Sequence, residues 1–397
     1  MSKIFAINAG SSSLKFQLFA MPEEEVLTAG LIERIGFEDA VFTIKVKGEK
    51  VTKTLPIKDH GEAVALLLEA LIEQSIVTSL QEIDGVGHRM VHGGEQFAQS
   101  VIGSEEVLAA VEEFSELAPL HNPANLTGYR AFKKALPKVG HVFVFDTAFH
   151  QTMEPETYLY PLPYEYYTDM MVRKYGFHGT SHDYVSERVG VLLGSDRSHY
   201  NIIVCHLGNG ASICAVKNGK SINTSMGFTP LAGIMMGTRS GDVDPGIMPY
   251  LMDKLGKSAQ EILDVYNKKS GMLGVSGISS DARDIDAAAE AGNERAILTN
   301  ALYTNIIAQT IGAYAVQLGH VDAIAFTAGL GENACGIRAM ILDRISELLQ
   351  IKYDEKANQS RGKEICLSTP DSKVAIWVVP TNEELMIARD TKRLLGL

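Results

Sequence analysis

Two glycine-rich segments of the sequence have the residue types of phosphate-binding turns. The first, INAGSSSLKF at 7–16, offers the amide of Asn8, three serine hydroxyls and the ammonium of Lys15 around one glycine. The second, HLGNG at 206–210, follows an apolar run that suits a buried strand. Glycine lets backbone amides approach an anion closely, and oxygen-bearing side chains suit a magnesium ion. For the first segment, a serine-rich surface hairpin is the structural alternative.

Two arginines lie in glycine-rich polar loops, Arg89 in GHRMVHGGE and Arg239 in MGTRSGDVDPG. The planar guanidinium binds carboxylate and phosphate groups through two hydrogen bonds, so loop arginines of this kind predict an anion site. His178 lies in the tight polar segment KYGFHGTSH, and Asp146 ends an apolar strand. Catalytic acids often follow strands in α/β proteins, although a structural histidine and a turn-capping acid are the alternatives.

Two further segments have the pattern of a turn that leads into a helix. AGLGEN at 328–333 follows a predicted strand and precedes a helix, which suits the close backbone approach of a nucleotide. PTNEEL at 380–385 reads as a helix start with Thr381 or Asn382 as cap, and capping alone explains its acidic residues. Two common nucleotide motifs are absent: Cys214 occupies the first glycine position of a P-loop ending at Gly219, and no strand-to-helix GxGxxG is present.

Composition is that of a globular protein with more than one domain. The chain has 397 residues and a formal net charge of −12, which argues against nonspecific binding to nucleic acid or to an anionic membrane surface. No signal peptide or membrane-spanning apolar run is visible, so a soluble cytoplasmic protein is expected. The four cysteines at 205, 214, 335 and 366 lack metal-ligand spacing and are expected to be reduced core thiols.

Hydrophobic periodicity predicts alternating sheet and helix regions in two lobes. Short strands are expected at 3–8, 14–20, 26–33, 41–46 and 51–55, a strand at 141–150, a hairpin turn at Asn218-Gly219, and strands at 321–329 and 374–379. Helices are expected at 60–76, 104–117, 123–136 with Asn122 as N-cap, 181–194, 257–268, 284–318 weakened at Gly292, 336–350 and from 382 onward. A Pro/Tyr-rich irregular stretch at 153–167 is the expected boundary between the lobes.

Eight sequence blocks together resemble the acetate kinase family, in the order in which the family carries them. They are INAGSSSLKF, GHRMVHGGE, FDTAFHQTM, YGFHGTSH, HLGNG, TPLAGIMMGTRSGDVDP, FTAGLGEN and PTNEEL. The resemblance implies an α/β fold of two duplicated ribonuclease-H-like (actin-like ATPase) domains with a nucleotide cleft between them. The implied domains are 1–148 plus 384–397, on the substrate and phosphate side, and 149–383, which would bind nucleotide and form a dimer interface.

The resemblance also implies roles for individual residues. Asp146, His178 and Arg239 would be catalytic, and Asn8 and Glu383 would be associated with Mg²⁺, with Mn²⁺ as a possible substitute. The substrate-binding residues implied are Arg89, Val91, Leu120, Phe177 and Pro230. The nucleotide-binding residues implied are Lys15, His206, Leu207, Gly208, Asn209, Gly210, Asp281, Ala282, Arg283, Gly329, Leu330, Gly331, Glu332 and Asn333. Three positions, Asn223, Ala232 and Ala282, depart from the residues that many relatives carry.

The expected reaction is reversible transfer of the γ-phosphoryl group of ATP to acetate, which gives ADP and acetyl phosphate. A propionate or butyrate kinase on the same scaffold is one alternative, although Val91 favours the shorter acid. A nonenzymatic actin-like nucleotide switch is the alternative from a different class. Partners would be these small molecules and a second copy of the chain in a homodimer, with no nucleic acid or membrane.

Overall fold

The computed structural model describes residues 1–119 and 121–397, and these residues form two compact units. Unit 1 contains Met1–Phe149 and Asn382–Leu397, and unit 2 contains His150–Thr381. The division after Phe149 lies close to the one that the family resemblance implies, whereas the Pro/Tyr-rich stretch at 153–167, expected from the sequence pattern as the boundary, lies inside unit 2. Asn382 and Glu383 fall in unit 1 because the last helix begins at Glu383 and packs on the sheet of unit 1, and Phe149 also belongs to unit 1.

The secondary structure alternates between sheet and helix along the chain. The strands are β1 (Ser2–Ala9), β2 (Ser13–Met21), β3 (Glu25–Glu33), β4 (Ala40–Val46), β5 (Glu49–Leu55), β6 (Ile83–Met90), β7 (Val101–Ile102), β8 (Gly140–Phe145), β9 (Asn201–Leu207), β10 (Ala211–Lys217), β11 (Lys220–Thr224), β12 (Ala323–Thr327), β13 (Ile365–Cys366) and β14 (Ala375–Val378). The helices are α1 (His60–Glu73), α2 (Glu105–Glu113), α3 (Asn122–Ala135), α4 (Pro155–Tyr158), α5 (Glu165–Met170), α6 (Gly179–Leu192), α7 (Ile247–Leu255), α8 (Ala259–Lys268), α9 (Gly271–Ser276), α10 (Ala282–Glu290), α11 (Glu294–Leu318), α12 (Ala328–Asn333), α13 (Cys335–Leu349), α14 (Glu355–Asn358) and α15 (Glu383–Leu395). Among the described residues, no helix is long and apolar enough to cross a membrane.

Unit 1 is built on a sheet with the strand order β5-β4-β3-β2-β1-β6-β8-β7. The first five strands form an antiparallel meander, as the sequence predicts, whereas β6 and β8 run parallel to β1. Helices α1 and α3 pack together, and α15 packs on β1, β6 and β8. Gly87 permits that approach, because a Cβ there would lie 2.3 Å from Thr391 Oγ1 and 2.4 Å from Ile387 Cγ2. The carboxyl ends of β1, β6 and β8 therefore meet near the start of α15.

Unit 2 has a sheet with the order β11-β10-β9-β12-β14-β13. The strands β9, β10 and β11 are antiparallel, and β12 and β14 run parallel to β9. The predicted hairpin turn between β10 and β11 is confirmed, since Asn218 and Gly219 both have positive φ, +51° and +78°. Residues of β9, β10 and β12 are almost all buried, which explains their apolar composition.

Several local predictions are corrected by the structure. The N-cap of α3 is His121 and not Asn122, because the Asn122 side chain is buried and bonds to the backbone of His92. The expected helix at 284–318 is two helices, α10 and α11, separated at Gly292 (φ +84°) and restarted by Asn293, whose side chain caps α11. The stretch 153–167 is not wholly irregular, since it contains α4 and the start of α5.

Two strand predictions extend too far along the chain. The strand predicted at 141–150 ends at Phe145 and is followed by a short 3₁₀ segment at 148–152. The strand predicted at 321–329 spans Ala323–Thr327, and the AGLGEN segment after it forms α12. In both places the chain leaves the sheet at a polar residue, Asp146 or Thr327, so the side chains that follow lie at the end of the sheet rather than in it.

Candidate functional site

An ion pair joins the ends of two parallel strands in unit 1. Arg89 of β6 donates from Nε to Asp146 Oδ1 at 2.9 Å and from Nη2 to Asp146 Oδ2 at 2.5 Å. Its third nitrogen, Nη1, donates to Asn8 Oδ1 of β1 at 3.3 Å. Burial alone would lower the pKa of Arg89, but the carboxylate of Asp146 outweighs burial and raises it. Three residues chosen from separate sequence blocks therefore form one hydrogen-bonded cluster, with a permanently charged guanidinium at its centre.

The start of α15 adds carboxylates to the same cluster. Burial raises the pKa of Glu383 to about 7; the positive charge of Arg89 opposes this shift, and the negative charges of Asp146 and Glu384 reinforce it. Glu384 forms an ion pair with Lys15 of β2. The side chain of Asn382 caps the helix through the backbone N–H of Leu385. Asn382 therefore supplies the capping that the sequence predicted, and this leaves the carboxylate of Glu383 facing other charged side chains.

The oxygen atoms of this cluster fit a hard divalent cation. No group of three or more His, Cys, Asp or Glu side chains that could hold a metal occurs in residues 1–119 and 121–397. Mg²⁺ does not require such a cage, because it usually keeps several waters and binds through one or two carboxylates and the phosphates of a substrate. The pKa of Glu383, raised to about 7, marks a buried carboxylate whose negative charge a cation would stabilise.

A second cluster of polar side chains lies in unit 2, between the start of α6 and the strands β9 and β10. His178 immediately precedes α6 with a left-handed backbone (φ +58°), and its ring stacks on that of His206 with centroids 4.1 Å apart. His178 Nδ1 is 2.9 Å from the hydroxyl of Ser212. His206 Nδ1 is 2.7 Å from the hydroxyl of Ser181. Both imidazoles are thus held in fixed orientations by buried serines.

Arg239 and His178 converge on the glycine turn between β9 and β10. A Cβ on Gly210 would lie 3.6 Å from Arg239 Nη1 and equally far from His178 Nε2. Arg239 is held by a hydrogen bond from Nη1 to the carbonyl of Pro230 at 3.2 Å, and burial lowers the pKa of its guanidinium. Since burial disfavours the charged form of this arginine, an anion bound beside it would be strongly stabilised.

A cavity of about 770 Å³ opens in unit 2, a volume typical of a small-molecule site. Seven of the predicted nucleotide-binding residues line it, namely Asn209, Asp281, Ala282, Arg283, Gly329, Leu330 and Asn333. Asp281 caps α10 and forms an ion pair with Arg283 at 2.5 Å. Gly237 packs against Asn209 so closely that a Cβ would lie 2.0 Å from Asn209 Oδ1. The cavity wall therefore includes residues of two glycine-rich segments that the sequence singled out, HLGNG and AGLGEN.

A buried arginine holds two segments of the cavity wall in place. Arg338 of α13 is fully buried and donates to the carbonyl of Gly331 at 2.9 Å, to the side chain and backbone of Asn358, and to the carbonyl of Ser360 at 2.8 Å. These bonds fix α12 and the segment that carries Arg361, both of which contribute to the cavity wall. Arg338 was not predicted from the sequence, because nothing in its local pattern distinguishes a buried arginine from an exposed helical one.

The remaining predicted site residues have mixed placements. Val91 and Phe177 are buried, in unit 1 and unit 2 respectively, and Leu120 lies outside the described residues. Leu207 is fully buried in β9, and Glu332 accepts a hydrogen bond from the backbone of Thr381 at 3.3 Å. Leu207 and Glu332 therefore both have structural contacts within unit 2.

Sequence reasoning missed several polar and apolar contributors. Ser212 and His182 were not singled out, although the pair holds His178, and the cavity also contains Asp286, Asn300, Ile337, Met340 and Arg361. These residues come from α10, α11, α13 and the segment after α14, whose meeting only the tertiary structure decides.

The prediction of core thiols is correct for Cys205 and Cys214 and wrong for the other two cysteines. Cys205 and Cys214 are buried, and all four cysteines are free thiols. Cys335 and Cys366 are only partly buried, because Cys335 opens α13 beside the cavity and Cys366 belongs to a two-residue edge strand.

Comparisons with known proteins identify the family of the chain. The family model described as the acetokinase family matches residues 3–389. The chain belongs to the acetokinase family. An acetate kinase from a Geobacillus species is 59% identical over 397 residues, covering all of both chains. The crystal structure of an acetate kinase from Porphyromonas gingivalis is 49% identical, covers both chains completely and superposes with a TM-score of 0.96.

A propionate kinase structure is also similar to this acetokinase family member. The protein from Francisella tularensis is 41% identical, covers 99% of this chain and 100% of its own, and superposes with a TM-score of 0.93. Its identity is lower than the 59% and 49% of the two acetate kinases above, so these comparisons favour the acetate kinase branch. The predicted α/β fold class is confirmed by the two mixed sheets and by the match to the acetate kinase structure.

Proposed function

We propose that this protein is an acetate kinase that reversibly transfers the γ-phosphoryl group of ATP to acetate, with Mg²⁺. The observation that carries the proposal is full-length identity of 59% with a protein named acetate kinase. In the forward direction an acetate oxygen forms a bond to the γ-phosphorus, the bond to the bridging oxygen breaks, and its electron pair leaves with ADP. Acetyl phosphate is the other product.

Arg89 is the group proposed to bind the carboxylate of acetate. Its guanidinium is held by Asp146 through two bonds and by Asn8 through a third, so it is oriented before substrate arrives. Acetate needs no base, because a carboxyl group with a pKa of about 4 is already ionised at neutral pH. We therefore assign Asp146 the role of orienting Arg89 rather than that of removing a proton.

His178 and Arg239 are the groups proposed to stabilise the transferring phosphoryl group. Phosphoryl transfer depends mainly on positioning and on neutralising charge on the equatorial oxygens. His178 Nε2 and Arg239 Nη1 approach the same point beside Gly210, which suits two donors to one phosphate. Asn8 and Glu383 would hold the metal, which supplies further neutralisation of phosphate charge. The cavity lined by Ala282 and Leu330 would take the nucleoside.

A coupled assay of the purified chain tests the proposal directly. Acetyl phosphate, trapped as the hydroxamate, should form from acetate and Mg-ATP, and ATP should form from acetyl phosphate and Mg-ADP. Omitting acetate and adding a chelator are the two controls. If no acetyl phosphate forms from acetate and Mg-ATP, the proposed kinase activity is rejected and a nucleotide switch is favoured.

Substrate length is tested with acetate, propionate and butyrate. One methylene contributes about 1–3 kcal/mol to discrimination, so propionate should react with lower kcat/KM, and butyrate with lower still. A kcat/KM that is higher for propionate than for acetate would replace the proposal with a propionate kinase.

We also propose a cytoplasmic homodimer formed through unit 2. Support comes from large apolar side chains that are at least 50% exposed in this unit, among them Leu162, Tyr164, Met170, Tyr250 and Leu255. Light scattering after size exclusion should give twice the chain mass of 43.1 kDa. Replacing Tyr250 and Leu255 together with Glu should give the monomer, and cell fractionation should recover the protein with the cytoplasmic fraction.

A further inference from the structure

One buried hydroxyl bridges two histidines next to the proposed phosphate position. Ser212 Oγ of β10 lies 2.9 Å from His178 Nδ1 and 2.8 Å from His182 Nε2. Ser212 and His182 are both completely buried. A hydroxyl has one hydrogen and two lone pairs, so it can donate to at most one of these nitrogens. Since a buried hydroxyl hydrogen needs an acceptor, Ser212 donates to one nitrogen and accepts from the other. The direction of both bonds then depends on which nitrogen of His182 carries hydrogen.

The other nitrogen of His182 settles that direction. Among the described residues, His182 Nδ1 is buried without a hydrogen-bond partner. Burial, followed by the nearby rings of His150 and His206, lowers the pKa of His182 well below its usual range, so the ring is neutral and carries one N–H. Buried N–H groups without a partner are rare because they lose their bond to water. The hydrogen therefore belongs on Nε2, where Ser212 accepts it.

The geometry points to a relay, His182 to Ser212 to His178, that fixes His178 as the tautomer with hydrogen on Nε2. Ser212 uses its single hydrogen to donate to His178 Nδ1, which leaves Nε2 as the N–H of the His178 ring. That nitrogen faces Gly210 together with Arg239. His178 thus presents a preoriented donor to a phosphate oxygen rather than a lone pair that would repel it. Ser212 and His182 are positioning residues, since they act through His178.

The relay has a structural reason in the local sequence. His178 precedes α6 in a left-handed conformation, while His182 lies one turn into the same helix. The backbone N–H of His182 donates to the carbonyl of His178 at 3.0 Å, and both rings reach Ser212 of β10, which lies between their nitrogens. The inference rests on the proposed kinase function only for the identity of the acceptor, a phosphate oxygen.

Nitrogen NMR of histidine-labelled protein tests the tautomer without requiring activity. Signals of His178 are assigned by their loss in His178→Gln. In the wild type with Mg-ADP, His178 should show a protonated Nε2 and an unprotonated Nδ1. In Ser212→Ala and His182→Leu the ring should become a mixture of tautomers. A protonated Nδ1 in the wild type, or an unchanged single tautomer in both variants, would overturn the relay.

Kinetics supply a second readout. Removing one hydrogen-bond donor to a transition state lowers kcat about 10²- to 10³-fold. In Ser212→Ala and His182→Leu a fraction of the His178 rings keeps its hydrogen on Nε2, so kcat should fall less, by about 10- to 100-fold. The KM for ATP should stay unchanged. His182→Gln should retain most of the wild-type kcat, because its amide can donate to Ser212 from the position of Nε2. Equal losses in the Gln and Leu variants would contradict the relay.

The control keeps these effects apart from simple loss of packing. Ser186 of α6 is also a fully buried serine, and its hydroxyl bonds to Asp183 and Arg197. Ser186→Ala removes this hydroxyl. It should leave kcat and the His178 signals unchanged. If the wild type forms no acetyl phosphate, the proposed function fails while the NMR result still decides the relay.

Discussion

The guanidinium of Arg89 and the carboxylate of Asp146 form a two-bond ion pair at the ends of neighbouring parallel strands, with Nε–Oδ1 and Nη2–Oδ2 separations of 2.9 and 2.5 Å. The side chain of Asp146 is 1% exposed, whereas that of Arg89 is 23% exposed. The pair is therefore anchored on its acidic side and open on its basic side. This asymmetry is what a binding arginine requires.

Asp146→Asn tests whether the acid orients Arg89 or removes a proton. A hydrogen bond to a charged group contributes about 1.5–3 kcal/mol, so kcat/KM for acetate should fall about 10- to 100-fold. The pH profile should keep its shape above about pH 5, since acetate is already ionised there. Asp39→Asn, which weakens the exposed Arg34 pair, is the matched control and should not change kcat/KM. If the wild-type profile decreases at acidic pH and that decrease is absent in Asp146→Asn, Asp146 acts instead as a general base.

Arg239→Ala should remove most of the turnover. An arginine that neutralises the transferring phosphoryl group contributes about 10³–10⁵ in kcat, and this side chain is already fixed beside Gly210. Steady-state assays with saturating acetate and Mg-ATP measure the loss. Arg295→Ala, which removes bonds to the carbonyls of Gly274 and Val275, should retain wild-type kcat. Turnover of Arg239→Ala close to that of the wild type would refute the assignment.

Glu383→Gln should weaken the response to Mg²⁺. The buried carboxylate would lose the negative charge that a cation stabilises, and changes around a metal site typically cost about 10- to 100-fold in metal affinity. The Mg²⁺ concentration at half-maximal activity, at fixed ATP, should rise by that factor. Glu105→Gln, at the exposed start of α2, is the control. An unchanged Mg²⁺ requirement would remove Glu383 from the proposed metal site.

Arg338→Met should destabilise unit 2 and weaken nucleotide binding together. The substitution leaves the carbonyls of Gly331, Asn358 and Ser360 without their donor, at about 1–3 kcal/mol for each acceptor that cannot reach water. Urea unfolding should show the loss, and the KM for ATP should rise because α12 lines the cavity. Arg344→Met, on the exposed side of α13, should change neither quantity strongly. A normal KM in a destabilised protein would limit Arg338 to a purely structural role.

His150 should make stability depend on pH in the acidic range. Burial lowers its pKa from 6.5 to about 4, so between these values the unfolded chain binds more protons than the folded protein. Stability is therefore complete above pH 6.5 and falls as the pH drops toward 4, by about 3 kcal/mol at 1.36 kcal/mol for each pKa unit. Urea midpoints measured from pH 7 to pH 4.5 should show a smaller decrease in His150→Gln. That variant keeps a donor for the carbonyl of Phe177 but cannot titrate. An equally steep decrease in both proteins would exclude His150 as the source.

Local sequence patterns predicted most of the elements around the site. The small-residue turn after β1, the Asn218-Gly219 hairpin and the Gly-rich segment before α13 all follow from short-range preferences, because turn geometry depends on a few adjacent residues. Hydrophobic periodicity predicts the ends of helices and strands less accurately than their existence. The helical pattern predicts only a weak point at Gly292 within one helix, whereas its left-handed backbone and the cap from Asn293 end one helix and start the next.

Side-chain chemistry and local backbone preferences, which the order of residues carries, establish which residue types could bind phosphate and which segments present them. The folded chain adds that Arg89 takes its orientation from Asp146, that Arg338 supports Gly331 and that Ser212 links two histidines. Each of these contacts joins residues far apart in the chain or in different elements. Their distances depend on strand register and helix packing, which no local pattern encodes.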